Sequence, residues 1–343
     1  MKRVAVLYND DGGLLAKGAA EDRIAWGGGV RPARAIAEAL VRAGFAAHEI
    51  PSGDDVMSLV HRLEEFGPDL IFNVCESFQG ESGLEAAIAS LLEMLQIPFT
   101  GNDPLALAMA HDKVRCKELL RSGGLPVPEW RVFPRAGPLA DLTGLTPPLI
   151  VKPRSEDGSH GLSAASVCAS PEAALRQAAR VAALWRQDCL IEEFLPGREF
   201  NVGVLFDGLM LPASEIEYQL PAGLPNLVTY EAKWIPGSVY DQGTPVRCPA
   251  ANVGEVLAER LGALALQAYR LIGCRDYARI DIRLDARGDP RILEVNPNPD
   301  LSPDAGLARA AAKGGLHYDE LISRIASSAI ARAATDGARA RAR

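Results

Sequence analysis

The segment from Tyr277 to Asn296 constrains this chain more than any other. Tyr277-Ala278-Arg279-Ile280-Asp281-Ile282-Arg283-Leu284 alternates strictly. Strand periodicity therefore puts Arg279, Asp281 and Arg283 on one face and Ile280, Ile282 and Leu284 on the other. The turn Asp285-Ala286-Arg287-Gly288-Asp289-Pro290 sends the chain back through Arg291-Ile292-Leu293-Glu294-Val295-Asn296. With the turn centred between Arg287 and Gly288, Asp281 lies opposite Glu294 and Arg279 opposite Asn296. Two carboxylates facing each other across an antiparallel pair have β-carbons about 5 Å apart and repel. A cation between them removes that penalty. Asp281, Glu294 and Asn296 offer three oxygen donors, which water and phosphate oxygens would complete to the octahedron that magnesium prefers. Arg279 beside them is placed to neutralise a phosphate. A solvated polar face balanced by Arg279 and Arg283 fits the same alternation, and a one-residue slip would send the partners to opposite faces.

Elsewhere the first hundred residues alternate short β-branched runs with helical periodicity, the pattern of βαβ units on a parallel sheet. Strands are predicted at Val4–Tyr8, Asp69–Val74 and Ile97–Thr100, and helices at Pro32–Ala43, Asp54–Phe66 and Glu81–Leu95. Gly101-Asn102-Asp103-Pro104 marks a break. Helical spacing resumes from Leu105 to Gly124 with a new start at Asp112-Lys113. A strand at Pro147–Pro153, a helix from Ser170 to Trp185 and a strand at Cys189–Phe194 make a mixed α+β unit. Strands follow at Glu199–Phe206 and Leu209–Ile216, then a loop-rich stretch over Gly223–Gly243, a helix from Val253 to Ile272, the hairpin, and a last helix from Tyr318. The implied division is 1–103, 104–197 and 198–333, with 334–343 a biased Ala/Arg tail expected to be disordered.

Composition excludes several classes. The 343 residues hold 36 Lys and Arg against 44 Asp and Glu, a formal charge of -8, so the footprint needed to bind a nucleic-acid backbone is missing. The N-terminus enters Val4-Ala5-Val6-Leu7-Tyr8 without a signal-peptide core, and no apolar run reaches membrane length. A cytoplasmic protein with no membrane or nucleic-acid partner is the expectation. The six cysteines lie far apart with no C-x-x-C pair, and buried free thiols are expected.

Two further segments suit a nucleotide. Lys152 closes an apolar strand and precedes a loop with Ser155, Gly158, Ser159 and Gly161. Glycines let backbone N–H groups approach an anion and the lysine adds a point charge. A plain surface turn fits that loop too. The loop lacks the G-x-x-x-x-G-K-[ST] pattern. The second segment, Glu192-Glu193-Phe194-Leu195-Pro196-Gly197-Arg198-Glu199, ends a strand in two acids and a Pro-Gly turn. It could offer backbone groups to an adenine edge while Glu199 reaches ribose hydroxyls.

In this order the segments resemble the ATP-grasp superfamily, specifically its D-alanine–D-alanine ligase-like branch. The resemblance runs from Arg3 to about Ile325. It rests on Gly80-Glu81-Ser82-Gly83 with Ile97-Pro98-Phe99-Thr100-Gly101, Asp112-Lys113-Val114-Arg115, Ile150-Val151-Lys152-Pro153, Glu192 to Glu199, Tyr230-Glu231-Ala232-Lys233, Cys248-Pro249-Ala250, and Arg279-Ile280-Asp281 with Glu294-Val295-Asn296. It implies an N-terminal parallel-sheet α/β domain followed by two α+β subdomains that sandwich ATP. Lys113 and Lys152 would contact phosphates, and Lys233 would sit on a loop closing over the γ-phosphate. Glu192, Glu193, Leu195 and Glu199 would form the adenosine pocket. Asp281, Glu294 and Asn296 would hold two magnesium ions, with manganese as a substitute. Arg279 would stabilise an acyl phosphate and then a tetrahedral intermediate, with Ser159 standing in for a phosphate-loop serine matched by Gly158.

The implied reaction is ATP-dependent joining of a carboxylate to an amine, both from amino acids, by a homodimer. Departures fall at the amino-acid sites. The family's N-terminal glutamate signature is not recognisable, leaving Glu21 or Asp22 as substitutes. Trp234 replaces a tyrosine, Asp300 a glycine and Ala305 a serine. These changes suggest a more cationic or amine-bearing substrate. A ligase of other dipeptides or modified amino acids, a small-molecule kinase and a non-catalytic nucleotide-binding protein are the rival readings.

Overall fold

The computed structural model describes residues 1–10, 29–137, 140–206 and 208–341. Glu21 and Asp22 lie outside the described residues. The chain begins with β1 (Arg3–Tyr8), α1 (Val30–Arg42), β2 (Ala46–Pro51), α2 (Val56–Phe66), β3 (Leu70–Asn73) and α3 (Glu85–Met94). These strands form a parallel sheet in the order β2-β1-β3, which Phe99 extends by a bridge to Ile71. Strand β2 was not foreseen: Ala46-Ala47-His48-Glu49 shows neither alternation nor a β-branched run, and pairing with β1 along its whole length creates the strand.

Next come α4 (Pro104–His111), α5 (Lys113–Ser122), β4 (Trp130–Phe133), β5 (Leu149–Pro153), β6 (Val167–Cys168), α6 (Pro171–Trp185) and β7 (Cys189–Glu193). Helices α4 and α5 split where Asp112 leaves helical geometry and its carboxylate accepts from the Val114 and Arg115 backbone N–H groups. The four strands make an antiparallel sheet, β4-β7-β5-β6, covered by α6.

The remainder is β8 (Glu199–Leu205), β9 (Leu209–Met210), β10 (Ser214–Ile216), α7 (Tyr230–Trp234), α8 (Val239–Gln242), β11 (Val246–Arg247), α9 (Glu255–Ile272), β12 (Tyr277–Leu284), β13 (Pro290–Asn296), α10 (Gly306–Lys313) and α11 (Tyr318–Arg341). A six-stranded antiparallel sheet follows the order β11-β10-β8-β12-β13, with β9 on β8. The stretch read as loop contains α7 and α8, and α10 was not anticipated. Helix α11 runs to Arg341, so the tail expected to be disordered beyond Ala333 is helical through Arg341.

Two apolar layers enclose the parallel sheet. Val4, Val6, Leu70 and Phe72 pack with α1 and with Leu321, Ile322 and Ile325 of α11, while Ala5, Leu7 and Ile71 pack with α2, α3 and Leu107 of α4. The C-terminal helix thus closes the core begun by the N-terminal strands. A strap strengthens this union. The Asp276 carboxylate accepts from the Gly101 backbone N–H and pairs with Arg332, and Arg275 donates to the Gly101 carbonyl. Asn102 donates to the carbonyls of Tyr277 and Pro297. The start of β12 is therefore tied to the edge of the first sheet.

Candidate active site

The hairpin register is as expected at the end that carries Asp281, Glu294 and Asn296. Arg279 pairs with Asn296 and Asp281 with Glu294. Beyond them the register shifts by one, Ile282 pairing with Ile292, so Leu293 is the extra residue of a bulge. The two carboxylates do not stand alone. Arg279 grips Asp281 with two hydrogen bonds of 2.7 and 2.8 Å, and Asn201 on β8 donates to the same carboxylate at 2.7 Å. Lys113 approaches Glu294 at 3.8 Å.

One cleft, between the central antiparallel sheet and the six-stranded sheet, gathers most residues singled out from sequence. Lys113, Lys152, Ser159, Glu192, Glu193, Leu195, Glu199, Lys233, Arg279, Asp281 and Glu294 all line it. Asn296 and Asp300 are not part of this lining; Asn296 Oδ1 accepts from the Asn298 backbone, and Asp300 caps the Ser302 backbone and hydroxyl. Trp234 reaches the cleft roof differently. Its indole donates to the Gly158 carbonyl at 2.9 Å, joining α7 to the loop after β5.

That loop is shaped by backbone constraint. Gly158, Ser159 and Gly161 all have positive φ. At Gly161 a Cβ would lie 2.7 Å from both Pro153 and the Trp185 indole nitrogen, so only glycine fits. Ser159 donates its hydroxyl to the Val228 carbonyl. Lys113 crosses beneath the loop, bonding the Glu156 carbonyl and the Asp157 carboxylate. Asp157 stands half-exposed between Lys113 and His111, which hold it well below the usual carboxylate range despite partial desolvation. His160 is a wall residue: its Nδ1 faces the Asp157 carbonyl and its ring packs near Trp185 and Tyr230. Burial lowers its affinity for a proton.

Sequence reasoning missed several partners. Lys117 on α5 is buried and pairs with Glu192 at 2.7 Å, while Lys152 pairs with the other oxygen of the same carboxylate. Glu199 accepts from Tyr218 at 2.6 Å and from Arg283 at 3.0 Å, which fixes its carboxylate at the cleft. Glu76 follows Cys75, whose carbonyl accepts from Asn298. Its side chain reaches water, yet desolvation by the protein around it, then Asp300 and Asp157, push its carboxyl up to about 7. The Lys113 and Lys117 pair, four residues apart on one helix face, was the available signal for Lys117. Nothing in the sequence pointed to Tyr218 or Glu76.

Lys233 is accessible to water yet stands in a confined cleft, where desolvation and Arg279 hold its ammonium below the usual lysine range despite Glu294, Asp281 and Asp157. Among the described residues no three His, Cys, Asp or Glu side chains form a group that could hold a metal. Asp281, Glu294 and the Asn296 amide are two carboxylates and a neutral oxygen in register on adjacent strands. Such a hard, oxygen-only set fits magnesium, which leaves several positions to water and phosphate, and does not suit a thiol- or imidazole-seeking metal. Among the described residues no helix is long and apolar enough to cross a membrane.

Comparison with known proteins shows the family and the fold. The family described as D-ala D-ala ligase C-terminus matches residues 119–327. The D-alanine–D-alanine ligase of Haemophilus influenzae is 35% identical over 317 residues, covering 91% of this chain and 98% of that one. An uncharacterized protein of Sinorhizobium fredii is 33% identical over 303 residues, covering 86% and 87%. A crystal structure of the Bacillus anthracis D-alanine–D-alanine ligase complexed with ATP superposes with a TM-score of 0.75 at 20% identity, over 98% of this chain and all of that one. The fold that carries the cleft is the ATP-grasp fold, and the chain belongs to the D-alanine–D-alanine ligase family.

Proposed function

We propose that this protein is an ATP-dependent ligase that joins the carboxylate of one amino acid to the amine of another. The observation that carries this reading is the convergence of four cations, Lys113, Lys152, Lys233 and Arg279, with Asp281 and Glu294 on a single cleft. A triphosphate needs the first group and its metal counterions need the second. A kinase without an amine acceptor is disfavoured by the family to which the chain belongs.

In the first step a carboxylate oxygen attacks the γ-phosphorus and the bond to the β,γ-bridging oxygen breaks, giving ADP and an acyl phosphate. Charge spreads over the transferring phosphoryl oxygens, so catalysis is positioning and electrostatic neutralisation. Lys113 and Lys152 hold the phosphates from below, and Lys233 approaches from α7. Arg279 neutralises the transferring group and then the oxyanion of the tetrahedral intermediate. In the second step the unprotonated amine attacks the acyl carbon and phosphate leaves, so amide, phosphate and one proton are released. Asp281, Glu294 and Asn296 would hold magnesium, which supplies further neutralisation of phosphate charge when bound.

Glu192, Glu193 and Leu195 line the adenosine end, and Glu199 is aimed at ribose hydroxyls, held by Tyr218 and Arg283. Ser159 and the Gly158 backbone sit at the phosphate loop. Trp234 closes that loop and keeps water from the acyl phosphate. Asp300 and Glu76 place acids toward the acceptor side, which supports an ammonium-bearing substrate; Glu21 remains a candidate on the donor side. A cytoplasmic homodimer is the expected working form. Screening amino-acid pairs, D-alanine with itself first, for ADP and phosphate release and weighing the product by mass tests the reading. No amide-bearing product with any pair would overturn it.

A further inference from the structure

Lys117 lies outside the cleft lining, yet it touches the residue on which the cleft wall is built. Its Nζ is 2.7 Å from one oxygen of Glu192, and Lys152 pairs with the other oxygen. Side-chain exposure is 1% for Lys117, 1% for Glu192 and 10% for Lys152. A hydrogen bond adds to these two ion pairs, because Lys117 also donates to the carbonyl of Leu293 at 2.9 Å. Leu293 is the residue left over by the hairpin bulge, so Lys117 joins α5, β7 and β13 at one point.

Charge counting makes this cluster unusual. Removing a charge from water is costly, and a buried carboxylate is satisfied by one well-placed cation. Here a single carboxylate has two. The cluster therefore carries a surplus of one positive charge, and Lys152, the member that lines the cleft, is where that surplus can be used. Burial opposes ionisation of Glu192, but the two lysines hold its carboxyl below the usual range. Burial also pulls Lys117 below the usual lysine range, with Glu192 resisting.

We propose that Lys117 is a positioning residue for nucleotide phosphates: by neutralising Glu192 from behind, it frees the charge of Lys152 to face the cleft. Without Lys117, Glu192 would claim Lys152 for itself and the wall would be neutral toward a phosphate. This rests on the nucleotide reading of the cleft and adds a residue that touches no ligand.

The test compares affinity for ATP in the presence of magnesium with affinity for adenosine, which has no phosphates, by calorimetry. Lys117→Met should weaken ATP by about tenfold or more, the scale of one charge acting over several ångströms at protein dielectric, and leave adenosine nearly unchanged. A loss shared equally by ATP and adenosine would mean a merely structural role and overturn the proposal. Lys117→Met with Glu192→Gln restores the surplus of one charge and buries no unpaired carboxylate, so it decides even if the single variant does not fold. Because Glu192 also lines the adenosine end, its replacement lowers affinity for both ligands together, so the ratio is the readout: the ATP-to-adenosine preference should stay within about threefold of wild type. A preference as low as that of Lys117→Met, or one lost in the double variant alone, overturns the proposal. Wild-type protein that binds ATP no better than adenosine would sink the nucleotide reading too, whereas a wild-type preference that survives Lys117→Met sinks this proposal alone.

Discussion

Asp281 and Glu294 face each other across β12 and β13 as register partners, and the bulge that shifts the rest of the hairpin begins immediately beyond them. Two acids are thus fixed side by side at the edge of the bulge, on its side away from the turn. If their work is to hold cations against phosphates, Glu294→Ala should lower kcat by at least about a hundredfold, the scale seen when an electrostatic contact to a transition state is removed. Release of ADP and phosphate measures it, with thermal melting to show that the variant is folded. A folded variant with wild-type turnover would refute the assignment.

The bond from the Trp234 indole to the Gly158 carbonyl ties α7 to the glycine loop after β5. Replacing Trp234 with Ala should leave the first step largely intact but admit water to the acyl phosphate. The expected outcome is an uncoupled enzyme, with phosphate released in excess of amide by about threefold or more. Equal amounts of the two products would show that another segment excludes water.

Glu76 gives a dependence on pH. Its carboxyl, on a side chain that still reaches water, is raised from 4.5 to about 7 in the folded protein by desolvation in the surrounding protein, then by Asp300 and Asp157. The folded state therefore keeps a proton that the unfolded chain sheds at lower pH, and this contribution to stability is complete below the unfolded value and lost as pH rises through the folded one. Melting temperature should fall more steeply between pH 4.5 and 7 in wild type than in Glu76→Gln. Parallel curves would contradict the assignment.

Asp276 is 2% exposed and serves the Gly101 backbone, Ser328 and Arg332 together. Asp276→Ala strips a half-buried guanidinium of its carboxylate, and a loss of about 3 kcal/mol in unfolding free energy is expected. Urea denaturation checks it, and a loss below about 1 kcal/mol would reduce the strap to a surface-like contact.

What could be read in the sequence depended on how local the signal was. The alternation from Tyr277 to Leu284 carries its own register, so the pairing of Asp281 with Glu294 followed from counting residues. The bulge at Leu293 did not, because it arises where the carbonyl of Leu293 meets Lys117 from a helix 176 positions away. Asp112 announced the start of α5 by its side-chain chemistry, whereas β2 exists only because β1 offers it a partner. Lys152 stood out beside a glycine loop. Its companion Lys117 looked like any helix-surface lysine until the fold buried it against Glu192. Tyr218 was silent for a similar reason, since its hydroxyl gains meaning only from Glu199, nineteen residues earlier.

The strap at Asp276, Arg275 and Asn102 has a mechanical consequence. It rivets the root of β12 to the first sheet, while α11 closes that sheet's core from the far end of the chain. Hairpin and first sheet therefore form one mechanical unit. The small β4-β7-β5-β6 sheet, which carries Lys152, meets that unit where Lys117 joins Glu192 on β7 to Leu293 on β13.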